Sequence, residues 1–294
     1  MRRVVIFGQN GQVSTYLQKI FTGSDLDLLV IGRDQVDLRE PTLVDDALSK
    51  AKPDLIINPA AYTAVDQAKQ ESEQAYIVNR DAVREIAAYS KRTNTPLIHF
   101  STDYVFAGDV QTPYVETDPT GPTGVYGQSK LEGELAILES GAPALILRTS
   151  WVYSNQGKNF YKTMLSLAES REELSIVVDQ VGAPTYAGSI AEATKGIVET
   201  IRQQGGLLPE QLGIYHFSCQ GQTSWCDFAK ALFNENEVTN MTVNAIASSE
   251  YPTPAKRPAY SVLNGEKLSR VFTVSLPHWG TALAHCAAET KALS

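Results

Sequence analysis

The sequence predicts a doubly wound parallel α/β fold followed by a smaller C-terminal lobe. Three observations carry that expectation. A glycine-bearing turn follows the first apolar run directly, short apolar runs alternate with amphipathic stretches, and chemically distinctive residues fall where the apolar runs end.

The elements can be read in order. Residues 4–7 form an apolar strand ending at Gly8, and Val13, Leu17, Ile20 and Phe21 recur at helical spacing just after it. Residues 28–31 predict a second strand, 42–51 a helix and 54–58 a third strand. Residues 71–93 predict one long helix, with Ala75, Val78, Ala82, Ile86 and Tyr89 on one side. A fourth strand over 96–101, a helix over 125–138 and a fifth strand over 144–148 complete the series. Strands apolar on both faces imply a sheet covered on both sides, and right-handed crossovers then give the doubly wound arrangement. Past residue 150 the order is less regular. Helices are predicted over 159–169, 190–202 and 225–233, strands over 174–178 and 214–217, and a loop around Pro252, Pro254 and Pro258. The division is residues 1–150 for a dinucleotide-binding domain and 151–294 mainly for a substrate-binding lobe, with segments returning to the sheet.

Composition excludes several classes. With 294 residues, 43% hydrophobic and 20% charged, the chain can bury a core without disulfides or metals. A formal charge of −8 and no basic patch argue against nucleic acid as a partner. No apolar run is long enough for a bilayer, and the N-terminal apolar stretch is too short for a secretory signal. Cys219, Cys226 and Cys286 are odd in number and lack CxxC spacing, so they are expected as reduced thiols in the cytoplasm.

Gly8-Gln-Asn-Gly11-Gln-Val-Ser14 lies between the first strand and first helix. Glycine there lets the backbone turn tightly and aim N–H groups at a pyrophosphate, as in Rossmann-type sheets; Ser14 stands where a third glycine is usual. The second strand ends Ile31-Gly32-Arg33-Asp34. Arg33 suits a 2′-phosphate, which favours NADPH, although the neighbouring Asp34 leaves NADH open. Asp37 and Leu38 are candidates for lining the adenine. Ser101-Thr102-Asp103-Tyr104 ends the fourth strand, and Tyr126 and Lys130 sit four apart on one face of the next helix. A free tyrosine titrates near 10, and an adjacent ammonium with a positive nicotinamide ring would lower it towards the working pH. Thr102 would hydrogen-bond the substrate oxygen. Gly8, Arg33, Ala60-Ala61, Thr102 and Thr149-Ser150-Trp151 all fall at carboxyl ends of strands, where open parallel sheets bind ligands.

These stretches, with Asn58-Pro-Ala-Ala-Tyr-Thr-Ala-Val-Asp66, Arg148-Thr-Ser-Trp-Val-Tyr153, Asp179-Gln-Val-Gly-Ala-Pro-Thr185 and Tyr251-Pro-Thr-Pro-Ala-Lys-Arg-Pro258, make the chain resemble the dTDP-4-dehydrorhamnose reductase branch of the extended short-chain dehydrogenase/reductase family. The resemblance implies NAD(P)H-dependent reduction of dTDP-4-dehydro-L-rhamnose at C4. It implies Tyr126 as proton donor, Lys130 as its partner and Thr102 as third catalytic residue. It places Gly8, Asn10, Gly11, Gln12, Val13, Arg33, Asp37, Leu38, Ala60, Ala61, Tyr62 and Lys130 at the cofactor. Val65, Ser101, Thr102, Tyr104, Tyr126 and Trp151 fall at the sugar, and Arg257 near the diphosphate, where guanidinium binds phosphate bidentately.

Some members of that branch are bridged into dimers by magnesium, with one carboxylate on the first helix. This chain has Tyr16 there, so no required metal is expected, and the chain is expected as a monomer or weak homodimer. Related dehydratases carry Glu where this chain has Tyr104, which leaves reduction over elimination. An epimerase or another nucleotide-sugar reductase uses the same Tyr-Lys pair. A non-catalytic regulator resembling the regulatory subunit of methionine adenosyltransferase is the alternative from another class. His99, inside a strand, is expected to be a satisfied core group, and the four histidines show no metal-ligand spacing.

Overall fold

The computed structural model describes residues 1–293. Its first half runs β1 (Arg3–Phe7), α1 (Gln12–Phe21), β2 (Asp27–Ile31), α2 (Leu43–Ala51), β3 (Leu55–Asn58), α3 (Ser72–Tyr76), a π-helical turn (Ile77–Asp81), α4 (Ala82–Thr93), β4 (Leu97–Thr102), α5 (Val125–Ser140) and β5 (Ala144–Thr149). The second half runs β6 (Val152–Tyr153), α6 (Phe160–Ala168), β7 (Glu173–Val177), β8 (Val181–Gly182), β9 (Thr185–Tyr186), α7 (Ala187–Gln204), β10 (Gly213–His216), β11 (Thr223–Ser224), α8 (Trp225–Glu235), β12 (Thr242–Ile246), α9 (Glu266–Phe272) and α10 (Trp279–Lys291).

Six strands form one sheet in the order β10-β5-β4-β3-β1-β2, with every pairing parallel. Alternation of side chains across the sheet explains why its strands are apolar throughout. Val4 and Ile6 of β1 enter a core shared with α1 and α7, including Leu17, Ile190 and Ile197. Val5 and Phe7 enter the opposite core, with Val44 and Leu48 of α2 and Val83 and Ile86 of α4. The chain leaves β1 to β2 on one side and places β3 on the other, so the strand order reverses at β1. The crevice beyond the carboxyl ends at that reversal is where such sheets hold ligands.

Elements of the second half close one end of this sheet and build smaller pairs. β10 extends the sheet by pairing with β5, from Gly213 opposite Leu145 to His216 opposite Arg148. The strand expected over 174–178 is β7, paired with β12, an element the sequence pattern did not reveal. β12 is mostly exposed or half-buried, so it lacks the apolar signature of a core strand. Helix α10 was also missed. It buries Ala282, Leu283, Cys286 and Ala287, and small residues give weak apolar contrast to a periodicity count.

The single long helix expected over 71–93 is interrupted by the π turn, for a packing reason. The turn directs Asn79 inward, where its amide donates to the Tyr62 carbonyl at 3.0 Å and to Ser129 Oγ at 3.0 Å, while its carbonyl accepts from Tyr62 N–H at 2.9 Å. Local insertions of this kind recur at functional sites. Ser129 lies on α5, which the structure grips from several sides. A Cβ on Gly127 would overlap the Tyr104 carbonyl, and one on Gly133 would overlap the Asn79 carbonyl. Glycine inside a helix costs about 1 kcal/mol relative to alanine. Here it permits backbone-to-backbone approach that fixes α5 against the turn following β4 and against the π turn. Gly133→Ala is therefore expected to destabilise the fold by about 1–3 kcal/mol, the usual cost of overpacking, despite better helix propensity. Denaturant unfolding of that variant measures it.

Candidate active site

A cavity of about 820 Å³ opens at the strand-order reversal. Of the residues expected at the site, Gly8, Asn10, Gly11, Gln12, Val13, Arg33, Ala60, Ala61, Val65, Ser101, Thr102, Tyr104, Tyr126, Lys130 and Trp151 all line it. Asp37, Leu38, Tyr62 and Arg257 do not. Asp37 pairs with Arg39 at 2.5 Å, and Leu38 packs against the α2-side core. The Tyr62 hydroxyl donates to Glu71 at 2.8 Å. Arg257 pairs with Asp66 at 2.6 Å and donates to the Tyr104 hydroxyl at 3.1 Å, which leaves it one side chain away from the cavity wall.

The glycine turn fits a dinucleotide. Gly8 has φ +87°, a left-handed conformation that favours glycine, and its added Cβ would meet Ala60 Cβ at 3.2 Å. Helix α1 starts with no side-chain cap and no acidic residue in its first turn, so its leading N–H groups stay available to an anion. Ser14, in the place of a third glycine, is buried and donates its hydroxyl to the Gly8 carbonyl, so it braces the turn from inside. Arg33 lines the adjoining wall, at the end of β2. NADPH or NADH would lie along this wall, its diphosphate at the α1 N-terminus and its nicotinamide towards Tyr126 and Lys130.

At the chemical end Ser101, Thr102, Asp103 and Lys130 are buried, while Tyr104 and Tyr126 are half-buried. The Lys130 side chain is 2% exposed and its Nζ donates to the Phe100 carbonyl at 2.6 Å. Burial lowers it from 10.5 to about 8, against the opposing charge of Glu134. Burial also raises the Tyr126 phenol well above its ordinary value, with the Thr102 hydroxyl beside it acting the other way and the charge of Asp103 adding to the rise. An ammonium acting together with a positive nicotinamide ring is what the sequence predicts to lower this phenol; in the protein alone desolvation wins. Tyr104 packs edge-on against Tyr126, with ring centroids 5.5 Å apart.

Several residues of the site escaped sequence reasoning. Asp103 is buried; Thr102 donates to its Oδ1 at 3.1 Å, while its Oδ2 has no partner among the described residues. Burial raises its carboxyl to about 6. Glu134, one turn beyond Lys130, pairs with Arg148 of β5 at 2.6 Å and accepts from Ser101 Oγ at 2.5 Å. Both charges of that pair are almost wholly buried. His99 is indeed satisfied in the core, but one of its partners is Lys130, at 3.2 Å.

Trp151 at the cavity rim adopts φ +46°, rare for a bulky residue and a form of strain that clusters at functional sites. Its ring stacks on Trp225 at 3.6 Å, over Gly182, where an added Cβ would overlap the indole. Away from this site, the Tyr16 hydroxyl sits 2.6 Å from Glu289 Oε2 and 2.7 Å from Asn155 Oδ1, with a single proton to share between them. No group of three or more His, Cys, Asp or Glu side chains among the described residues is placed to hold a metal ion.

A parallel sheet with a glycine turn at its reversal, and a Tyr-Lys pair lining the same cavity, define a nicotinamide-dependent oxidoreductase of the short-chain dehydrogenase/reductase type. A sequence profile for the family described as RmlD substrate binding domain matches residues 1–292. The dTDP-4-dehydrorhamnose reductase of Sinorhizobium fredii is 44% identical over 94% of each chain, and that of Burkholderia thailandensis is 42% identical over 97% of each. A crystal structure of the Bacillus anthracis dTDP-4-dehydrorhamnose reductase in complex with NADP superposes with a TM-score of 0.91 at 33% identity, covering 98% of this chain and all of that one. The chain belongs to this reductase family.

Breaking the buried pair behind the site should be costly. Arg148→Met leaves the Glu134 carboxylate buried without its cation, and a loss of about 3–5 kcal/mol of stability is expected. Chemical denaturation of the two proteins side by side gives that difference.

Proposed function

We propose that the protein reduces the C4 ketone of dTDP-4-dehydro-L-rhamnose to dTDP-L-rhamnose, using NADPH or NADH. The observation that carries this is the convergence of Tyr126, Lys130 and Thr102 with the glycine turn on one cavity. The two similar reductases and the NADP-bound relative support the substrate and cofactor. Arg33 at the end of β2 supports NADPH over NADH.

When bound, the reduced nicotinamide supplies a hydride to C4. Tyr126 gives its phenolic proton to the substrate oxygen as the electrons of the C=O bond move onto it, so the ketone becomes a secondary alcohol and the phenol a phenolate. Lys130 offsets that new negative charge from the next turn of α5, and Thr102 holds the substrate oxygen. The dry surroundings strengthen both interactions. Trp151 and Val65 flank the sugar. Arg257, already oriented by Asp66 and Tyr104, serves the diphosphate. Tyr104 stands where an eliminating enzyme would place a carboxylate, which supports simple reduction.

On this proposal residues 1–150 bind the cofactor and residues 151–294 mainly the nucleotide sugar, with Trp151 and Arg257 as its contributions. The protein would act in the cytoplasm as a monomer or weak homodimer. Its three free, buried cysteines suit a reducing compartment, and no helix among the described residues is long and apolar enough to cross a membrane.

Tyr126→Phe should lower turnover with dTDP-4-dehydrorhamnose by ~10²–10⁴-fold while NADPH still binds. Turnover is followed by NADPH oxidation and binding by fluorescence titration. Near-normal turnover would remove Tyr126 from the role of acid, and no ketone-dependent oxidation by the unaltered protein would favour a regulatory role.

A further inference from the structure

Lys130 has a second neighbour that the proposed reaction does not use. His99 of β4 is wholly buried, with Nε2 at 3.2 Å from Lys130 Nζ and Nδ1 at 3.1 Å from Asn58 Nδ2. Asn58 ends β3, and its Oδ1 accepts from the Ala60 backbone N–H at 3.2 Å. Ala60 lines the cavity opposite Gly8. The four groups form one chain of contacts from the cofactor wall to the lysine.

The protons in that chain can be assigned from its one fixed end. A backbone N–H can only donate, so Asn58 must turn its oxygen to Ala60 and its NH₂ to His99. The imidazole is held neutral, because burial and the neighbouring Lys130 push its titration well below the ordinary 6.5. A neutral ring has one N–H and one lone pair. Nδ1 must accept from Asn58, so the hydrogen sits on Nε2 and faces Lys130. A charged ammonium offers that hydrogen no lone pair. A neutral amine does, and it can still donate to the Phe100 carbonyl.

We infer that Asn58 and His99 are positioning residues for Lys130: the Ala60 amide orients Asn58, Asn58 fixes the Nε2–H tautomer of His99, and that tautomer favours the uncharged amine. The charged groups around the lysine bear on the same balance. Glu134, on the same helix, favours the ammonium, but Arg148 of β5 holds that carboxylate in a 2.6 Å pair. Asp103 and Tyr104, beyond β4, and Tyr126, on α5, share the cavity wall with it. A lysine poised between its two forms can, as the ammonium, offset the phenolate during turnover and then return a proton to it, which leaves the neutral phenol and the neutral amine. A lysine locked as ammonium by a carboxylate partner would do only the first.

The inference rests on Lys130 as partner of Tyr126, but its test needs neither substrate nor turnover, so the two can fail separately. Nitrogen–proton correlation NMR on ligand-free, histidine-labelled protein reads the tautomer, with His99→Gln used to assign the signal. The expected spectrum has a protonated Nε2 and an unprotonated Nδ1. A protonated Nδ1 overturns the inference. Asn58→Asp supplies an acceptor in place of the amide donor and should invert the tautomer. The lysine side-chain nitrogen of Lys130, assigned with Lys130→Arg, should then titrate higher by about one pH unit. An unchanged tautomer in a folded Asn58→Asp protein also overturns it. If that variant does not fold, the spectrum of the unaltered protein decides.

Discussion

The site depends on a phenol and an amine, one helical turn apart, drawn out of bulk water in the cavity onto which the glycine turn opens. Low dielectric surroundings penalise each group's charged form, so Tyr126 is driven up and Lys130 down. In the empty protein both are biased towards neutrality. That is a useful resting state for a group that must donate a proton only when a ketone and a hydride source are in place. It also means that a bound cofactor has to add its charge to that of Lys130 before Tyr126 becomes acidic.

Such a pair is only as good as the helix that carries it. Helix α5 is held by two glycines at backbone contacts, by Ser129 on the π-turn Asn79, and by Glu134 on Arg148 and Ser101. These anchors come from β4, β5 and the helix before β4, so the catalytic turn is registered against three parts of the sheet layer at once. The buried ion pair is expensive as a source of stability, since desolvation consumes most of its attraction. Its placement directly behind Ser101 and one turn from Lys130 suits a role in orientation.

Much of this was legible in the sequence, and the reason is local. The β1 turn, the strand-end Ser101-Thr102 and the Tyr126–Lys130 spacing each depend on residues close together in the chain. So do the alternating strands, whose two-sided burial gives continuous apolar runs. What escaped reading depends on distant partners. Nothing near His99 in sequence reveals that β4 sets it against Lys130 and β3 sets Asn58 against it. Asp103 and Glu134 read as ordinary carboxylates until the fold removes water from them. The π turn left no trace because its sequence has ordinary helical periodicity and its cause, Ser129, lies 50 residues from Asn79. Arg257 was expected near a diphosphate, and its tie to Asp66, 191 residues away, is a tertiary fact.

The chemistry follows from one property of the site: the phenol of Tyr126 is a weaker acid than a free tyrosine in the empty protein and a stronger one when the positive nicotinamide of the oxidised cofactor lies beside it. Tyrosinate absorption, recorded as a function of pH with and without saturating NADP⁺ and corrected with a protein carrying phenylalanine at this position, measures that directly. The expected result is a Tyr126 titration above the ordinary tyrosine value without ligand and several pH units lower with it. A titration that stays high when the cofactor is bound would contradict the account.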